Sequence, residues 1–292
     1  MNDFVLLAAA FVVGACIGSF LNVCIARWPA EQSVVKPRSR CPGCGNSIAW
    51  YDNVPIVSWM LLRARCRACG VPISLQYPAV ELLVALGWLA TFYMFGPTFT
   101  ALRVAIFGTI MLGIAITDLK HYLIPDGFTV FGFIFVLATS ILAFVIGDVS
   151  PFADPWGALI GACTGAGAIA IVGWLGEAML KREAMGFGDV TLMAVVGGAL
   201  GPTRALLVIF VGAALGAATF LLVVMPLMRF RRAAVAAPAA EAEGESTAGD
   251  GGGQAEMPNV PFGVFLAPAA VLMLLFGERL ITWYFGRMGG PQ

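Results

Sequence analysis

The chain has 292 residues, of which 60% are hydrophobic and 12% charged, whereas soluble domains carry roughly 25% charged residues. A water-soluble fold of this length cannot hide so much apolar surface, so composition excludes an ordinary soluble enzyme and makes the bilayer the main solvent. Seventeen basic residues balance seventeen acidic ones, and only their distribution is informative.

In chain order, apolar spans are expected near residues 4–26, 79–95, 98–117, 127–147, 156–179, 188–201, 203–228 and 261–284. Most approach the roughly 20 residues that a helix needs to cross a bilayer. The span 188–201 is short and Gly-rich, which predicts packing inside the bundle and not against lipid. The first span has no basic residue ahead of it and no small-residue cleavage site, so it reads as a retained helix and not a secretory signal. The expected fold class is therefore an all-α polytopic membrane protein of about eight transmembrane helices with a small cytoplasmic zinc-binding domain. Its expected units are a first helix (1–26), the Cys-containing domain (27–78), a transmembrane core (79–228), a linker (229–260) and a last helix with the carboxyl terminus (261–292). The linker is rich in Ala, Gly and Glu and cannot bury enough surface to offset its ordering entropy.

With the amino terminus outside, the connections 27–78, 118–126, 180–187 and 229–260 hold 13 of the 17 basic residues. The positive-inside rule then places these connections in the cytoplasm.

Between the first two spans stand Cys41-Pro-Gly-Cys44-Gly45 and Cys66-Arg-Ala-Cys69-Gly70, two CxxC pairs each followed by glycine. Four thiolates at this spacing suit a tetrahedral zinc site, because each CxxC turn offers two sulfurs to one metal. The alternatives are two disulfides or free thiols, and a reducing cytoplasm disfavours disulfides. A closed four-cysteine site has no open position, which makes such a metal structural. Cys16, Cys24 and Cys163 lie singly in apolar helices and read as packing residues.

Ionisable groups where helices meet the membrane border are the best functional leads in such a chain. The third span ends inside at Asp118, and the sixth begins inside at Asp189. Two carboxylates distant in sequence are thus expected at one depth on one face. Like charges at short range share a proton, so one group can act as general base on water while the other, protonated, polarises a scissile carbonyl. Gly186 and Gly188 leave room for a substrate backbone or an unwound helix end. Asp126, after Pro125, reads as a helix cap, and His121, the single histidine, as a surface residue. No GxSxG, HExxH or Walker A pattern is present.

Together these motifs resemble the type IV prepilin peptidase family, the bifunctional leader peptidases and N-methyltransferases of pilus and type II secretion systems. The likeness runs through GACIGSFLNVCIARWP from Gly14, the two CxxC pairs with WYDNVPIVSWMLLRARCRAC between and within them, ISLQYPAVE, TDLKHYLIPD and Gly186-Phe187-Gly188-Asp189-Val190. The resemblance implies catalytic roles for Asp118 and Asp189 and maps the family's cysteine tetrad onto Cys41, Cys44, Cys66 and Cys69. Thr191 is a departure, since many relatives carry lysine there. The resemblance further implies a bacterial inner-membrane enzyme with a cytoplasmic catalytic face. Such an enzyme cleaves prepilins and pseudopilins after a glycine and methylates the new amino terminus with S-adenosylmethionine.

Expected partners are those substrates, membrane lipid and pilus or type II secretion assembly proteins, with no nucleic acid. No Rossmann-type glycine turn marks a cofactor site. Gly18, Asn22 and Arg27 are the candidates for positioning methyl transfer, against a plain packing role for Gly18 and an anchoring role for Arg27. An ion-coupled transporter would put its acids near the bilayer midplane within repeats, and no repeat is present. A zinc-ribbon adapter without catalysis would make the carboxylate pair accidental.

Overall fold

The computed structural model describes residues 2–181, 185–226 and 261–287. The whole linker expected at 229–260, and Arg182 with it, therefore lies outside the described residues. Nine α-helices are described: α1 (Asn2–Arg27), α2 (Val57–Leu61), α3 (Gln76–Phe95), α4 (Phe99–His121), α5 (Asp126–Ile146), α6 (Pro155–Leu180), α7 (Phe187–Leu200), α8 (Pro202–Thr219) and α9 (Gly263–Arg287). A π-helical turn, Phe220–Val224, extends α8. Among the described residues there is no strand, only two isolated bridges, Arg40 with Ser47 and Arg65 with Pro72.

Seven of these helices are long and apolar enough to cross a membrane. The remaining apolar segment, α7, has 14 residues and rises only about 21 Å. It is wrapped by its neighbours, with Leu192, Met193 and every residue from Val195 to Leu200 buried. The chain is thus a multi-pass helical membrane protein whose sixth apolar segment is internal, as its glycines imply.

Apolar burial does not drive helices together in lipid, so close backbone contact and polar bonds must do so. At the α6–α7 crossing, a β-carbon on Gly161 would collide with the Gly197 carbonyl oxygen, and one on Gly197 with that of Gly161. Gly165 stands likewise against the Met193 carbonyl. Any side chain there would drive the two helices apart. The α1–α3 crossing repeats the device: β-carbons on Gly14 and Gly18 would lie 2.8 Å from Trp88 Cβ and 2.7 Å from Glu81 Cα. Gly18 is accordingly a packing residue.

Helix ends follow local chemistry. Asp154 accepts from Gly157 N at 3.2 Å ahead of Pro155 and starts α6, and Thr98 does the same for α4 through Ala101 N. Left-handed Tyr122 closes α4 by donating its N–H to Asp118 O at 2.9 Å. At the far end of the bundle, Arg103 is buried, donates to Ser150 Oγ at 2.8 Å and lies 4.1 Å over the Phe152 ring. Arg204 donates there to the carbonyls of Leu200 and Pro151.

Between α1 and α3 the chain leaves the bundle as a lobe of turns. Trp59 Nε1 donates to Ile73 O at 3.1 Å, Ser58 Oγ donates to Tyr51 O at 2.9 Å, and Arg67 grips Asp52 with three hydrogen bonds.

Candidate active site and metal cluster

Asp118 sits in the last turn of α4 and Asp189 in the first turn of α7. They lie 71 residues apart (189 minus 118) in sequence, yet the fold brings them within electrostatic reach of each other. Asp118 is 6% exposed, and its Oδ2 accepts the N–H of Val264 at 3.1 Å. The Gly263 N–H is directed at the same carboxylate. Both donors are free because they belong to the first turn of α9, where backbone N–H groups lack helical partners.

Ile124, in the turn after α4, locks this corner. A β-carbon on Gly188 would stand 3.0 Å from Ile124 Cβ, and one on Gly263 would stand 3.1 Å from Ile124 Cδ1 and 2.8 Å from Asp118 Oδ2. Four segments therefore meet at the carboxylates: the end of α4, the turn carrying Ile124, the start of α7 and the start of α9. Gly188 is required for close packing, whereas a β-carbon on Gly186 would meet nothing within 4 Å among the described residues, and its φ is an ordinary −75°. The Thr191 hydroxyl donates back to Gly188 O at 2.9 Å, so the residue that departs from the family pattern is tied to its own helix.

Gly263 and Val264 were not singled out by sequence reasoning, which read the last span only as a transmembrane helix. A signal was present: Pro261-Phe262-Gly263 stands where the low-complexity linker gives way to an apolar run. Asp126 corrects a second expectation. Pro125 occupies the cap position and Asp126 is the first helical residue, exposed and making no capping hydrogen bond. Its carboxylate near a helix amino terminus is favourable through the helix dipole alone.

The cysteines form a separate cluster in the lobe. The four sulfurs of Cys41, Cys44, Cys66 and Cys69 lie within 4.8 Å of one another, a group that can hold a metal ion, and Cys41 Sγ is 3.7 Å from Cys69 Sγ. All four are free of disulfides. The two CxxC turns are near copies. Gly45 N donates to Cys41 O and Gly70 N to Cys66 O, each at 2.9 Å, and both glycines have φ of +71°. Only glycine adopts that backbone without strain. Backbone N–H groups of Cys44 and Gly43 aimed at Cys41 hold its thiol down at about 6, whereas burial and the neighbouring sulfurs push the Cys69 thiol up to about 11.

A bundle of membrane helices with two carboxylates carried to one junction of helix ends defines the class: a polytopic membrane protein with an acidic corner. Comparison with known proteins makes the class specific. The Bacterial Peptidase A24 N-terminal domain matches residues 12–95 and the Type IV leader peptidase family matches 105–221. The first match joins α1, the lobe and α3; the second spans α4 to the π-helical turn.

The chain is 46% identical to the prepilin leader peptidase/N-methyltransferase of Myxococcus xanthus over 68% of its length, an alignment that spans 56% of that relative. It is 36% identical to the type 4 prepilin-like proteins leader peptide-processing enzyme of Escherichia coli O78:H11, covering 66% of this chain and 76% of the relative. The prepilin leader peptidase/N-methyltransferase of Stutzerimonas stutzeri is 30% identical over 97% of this chain and 95% of its own length. No solved structure matches. The chain belongs to the type IV leader peptidase family.

Proposed function

We propose that this protein removes the leader peptide from type IV prepilins and pseudopilins, with Asp118 and Asp189 as the catalytic pair. The observation that carries the reading is the meeting of these two carboxylates from α4 and α7, with Asp118 aligned by α9 backbone N–H groups. One carboxylate takes a proton from the attacking water while the other donates to the scissile carbonyl oxygen. The missing side chains of Gly186 and Gly188 beside Asp189 leave room for an extended substrate backbone.

The basic residues crowd the connections on the Asp118 and Asp189 side, which supports a cytoplasmic catalytic face in the bacterial inner membrane. Pilus or type II secretion assembly proteins are the expected neighbours of the enzyme.

The cysteine cluster fits zinc. Four sulfurs about 2.3 Å from a tetrahedral zinc stand about 3.8 Å apart, close to the 3.7 Å between Cys41 and Cys69. The ion would fix the lobe and leave hydrolysis to the bundle. The relatives' names support a second activity, N-methylation of the new amino terminus, for which S-adenosylmethionine supplies the methyl group.

The test is leader cleavage of a prepilin by purified protein in vesicles. Asp118→Asn and Asp189→Asn should each reduce the rate by about a thousandfold or more while the protein remains inserted, and Asp126→Asn should keep most activity. A normal rate from either of the first two variants would refute the assignment.

A further inference from the structure

The lobe between α1 and α3 carries large apolar side chains that no core absorbs. On α2, Val57, Met60 and Leu61 are exposed, Leu61 to 77%, while Ser58 among them is buried. Their spacing of i, i+3 and i+4 puts these three on one face of the helix. The preceding turn exposes Trp50, to 81%, and Tyr51, and Ser58 Oγ ties it to α2 by donating to Tyr51 O. Apolar groups gathered in one short exposed stretch mark a surface that meets something other than water.

Polar bonds set the depth of this surface. Ile56, immediately ahead of α2, donates its N–H to Glu81 Oε2 at 2.7 Å, and the Ser19 side chain is hydrogen-bonded to the same carboxylate. Glu81 lies five residues into α3 (81 minus 76) and Ser19 eight residues before the end of α1 (27 minus 19). The start of α2 is therefore held about 7 Å below the first residue of α3 and about 12 Å below the last of α1. Both helices are membrane spans by length and composition, and near this depth they expose Phe20 of α1 and Leu82, Leu83 and Leu86 of α3. The placement is enforced: Ile56 has φ of +64°, which a β-branched residue keeps only where its surroundings impose it. Arg27 secures the other side of the lobe by donating to Ser33 O at 2.9 Å and Pro37 O at 2.8 Å.

Charge points the same way. Residues 27–78 hold seven basic residues and two acidic ones, and Arg67 is paired with Asp52. Arg63 and Arg65 follow α2 directly, are exposed, and have no ion pair among the described residues. An apolar helix face flanked by free arginines suits a helix lying in the plane of an anionic membrane surface. Trp and Tyr favour that same interface.

We propose that the lobe is a membrane-interface element and not a domain free in the cytoplasm. α2 lies in the leaflet on the lobe's side, with Val57, Met60 and Leu61 against acyl chains and Arg63 and Arg65 among anionic headgroups. Lipid is the occupant because this face continues the lipid-exposed sides of α1 and α3 at the same depth, and because the free charge beside it is of one sign. The cysteine cluster is thereby held at the membrane surface.

The test uses the full-length, zinc-loaded protein in vesicles containing phosphatidylglycerol, with a diazirine on the upper part of one phospholipid acyl chain. After photolysis, mass spectrometry should find segment 57–61 labelled within about threefold of segment 82–86 on α3. Hydroxyl radicals made in the water phase should oxidise Met60 at least about tenfold more slowly than free methionine in the same sample. Arg63→Glu combined with Arg65→Glu should lower labelling of 57–61 at least about threefold and spare 82–86, with zinc content verifying the fold. Labelling indifferent to that reversal would refute the headgroup contact. An unlabelled 57–61 with rapid oxidation of Met60 would put the face in water and overturn the proposal. Absence of both modifications would overturn it too, by showing the face covered by protein, a second copy or another segment of the chain. Loss of acyl-chain labelling when a prepilin saturates the Asp189→Asn protein would assign the face to the substrate instead.

Discussion

The carboxylate corner and the cysteine lobe solve the same problem, fixing reactive side chains, by opposite means. Around Asp118 the fixing is steric: Ile124 leaves no free room for a β-carbon on Gly188 or Gly263, and backbone N–H groups of Val264 and Gly263 complete the alignment. In the lobe the fixing is local: two copied CxxC turns and a set of polar bonds hold a segment whose Trp50, Met60 and Leu61 are exposed. Packed helices hold the two carboxylates of the proposed catalytic pair at one corner. A lobe with little core is the kind of segment that a metal held by four sulfurs would stabilise most.

This contrast can be broken first at the corner. Gly263→Val puts a branched side chain where even a β-carbon would stand 2.8 Å from Asp118 Oδ2. Leader cleavage should fall about a hundredfold, the cost of a misplacement near 1 Å, with zinc content unaltered. The lobe should respond the other way. Cys44→Ser should empty most of the zinc, measured by metal analysis, and expose the lobe to protease, with a smaller loss of cleavage than Gly263→Val. Freshly purified, reduced wild-type protein lacking zinc would refute the metal assignment.

The smallest effect belongs to Asp52 and Arg67, whose shortest contact is 2.6 Å. The hydrogen-bonded guanidinium holds the Asp52 carboxyl below the usual carboxylate range. A lowered folded-state pKa stabilises above the ordinary Asp value of about 3.9 and is lost as pH falls through the lowered one. Asp52→Asn should therefore weaken the lobe slightly at neutral pH, slightly because Arg67 is largely exposed. By thermal unfolding, the difference from wild type should vanish in acid.

The parts legible in the sequence are those where short-range pattern fixes the outcome. Length and hydropathy place the spanning helices, the glycines of the 188–201 segment announce an internal helix, and the repeated CxxC-Gly gives both cysteine turns. The α9 contribution was hidden because a backbone N–H leaves no residue-type signature, and because Gly263 acts on an aspartate 145 positions away (263 minus 118). The Asp126 cap failed for a local reason. Proline fixes its own φ near −65° and sits readily at a helix start, so here the cap position moved one residue back to Pro125.

The central claim is that Asp118 and Asp189 work as one proton-sharing unit, and a double-mutant cycle on leader cleavage tests it most directly. Groups that act as a unit lose their effect together. Asp118→Asn combined with Asp189→Asn should therefore cleave prepilin no more slowly than the worse of the two single variants. Losses that multiply in the double variant would contradict the account by showing two independent contributions.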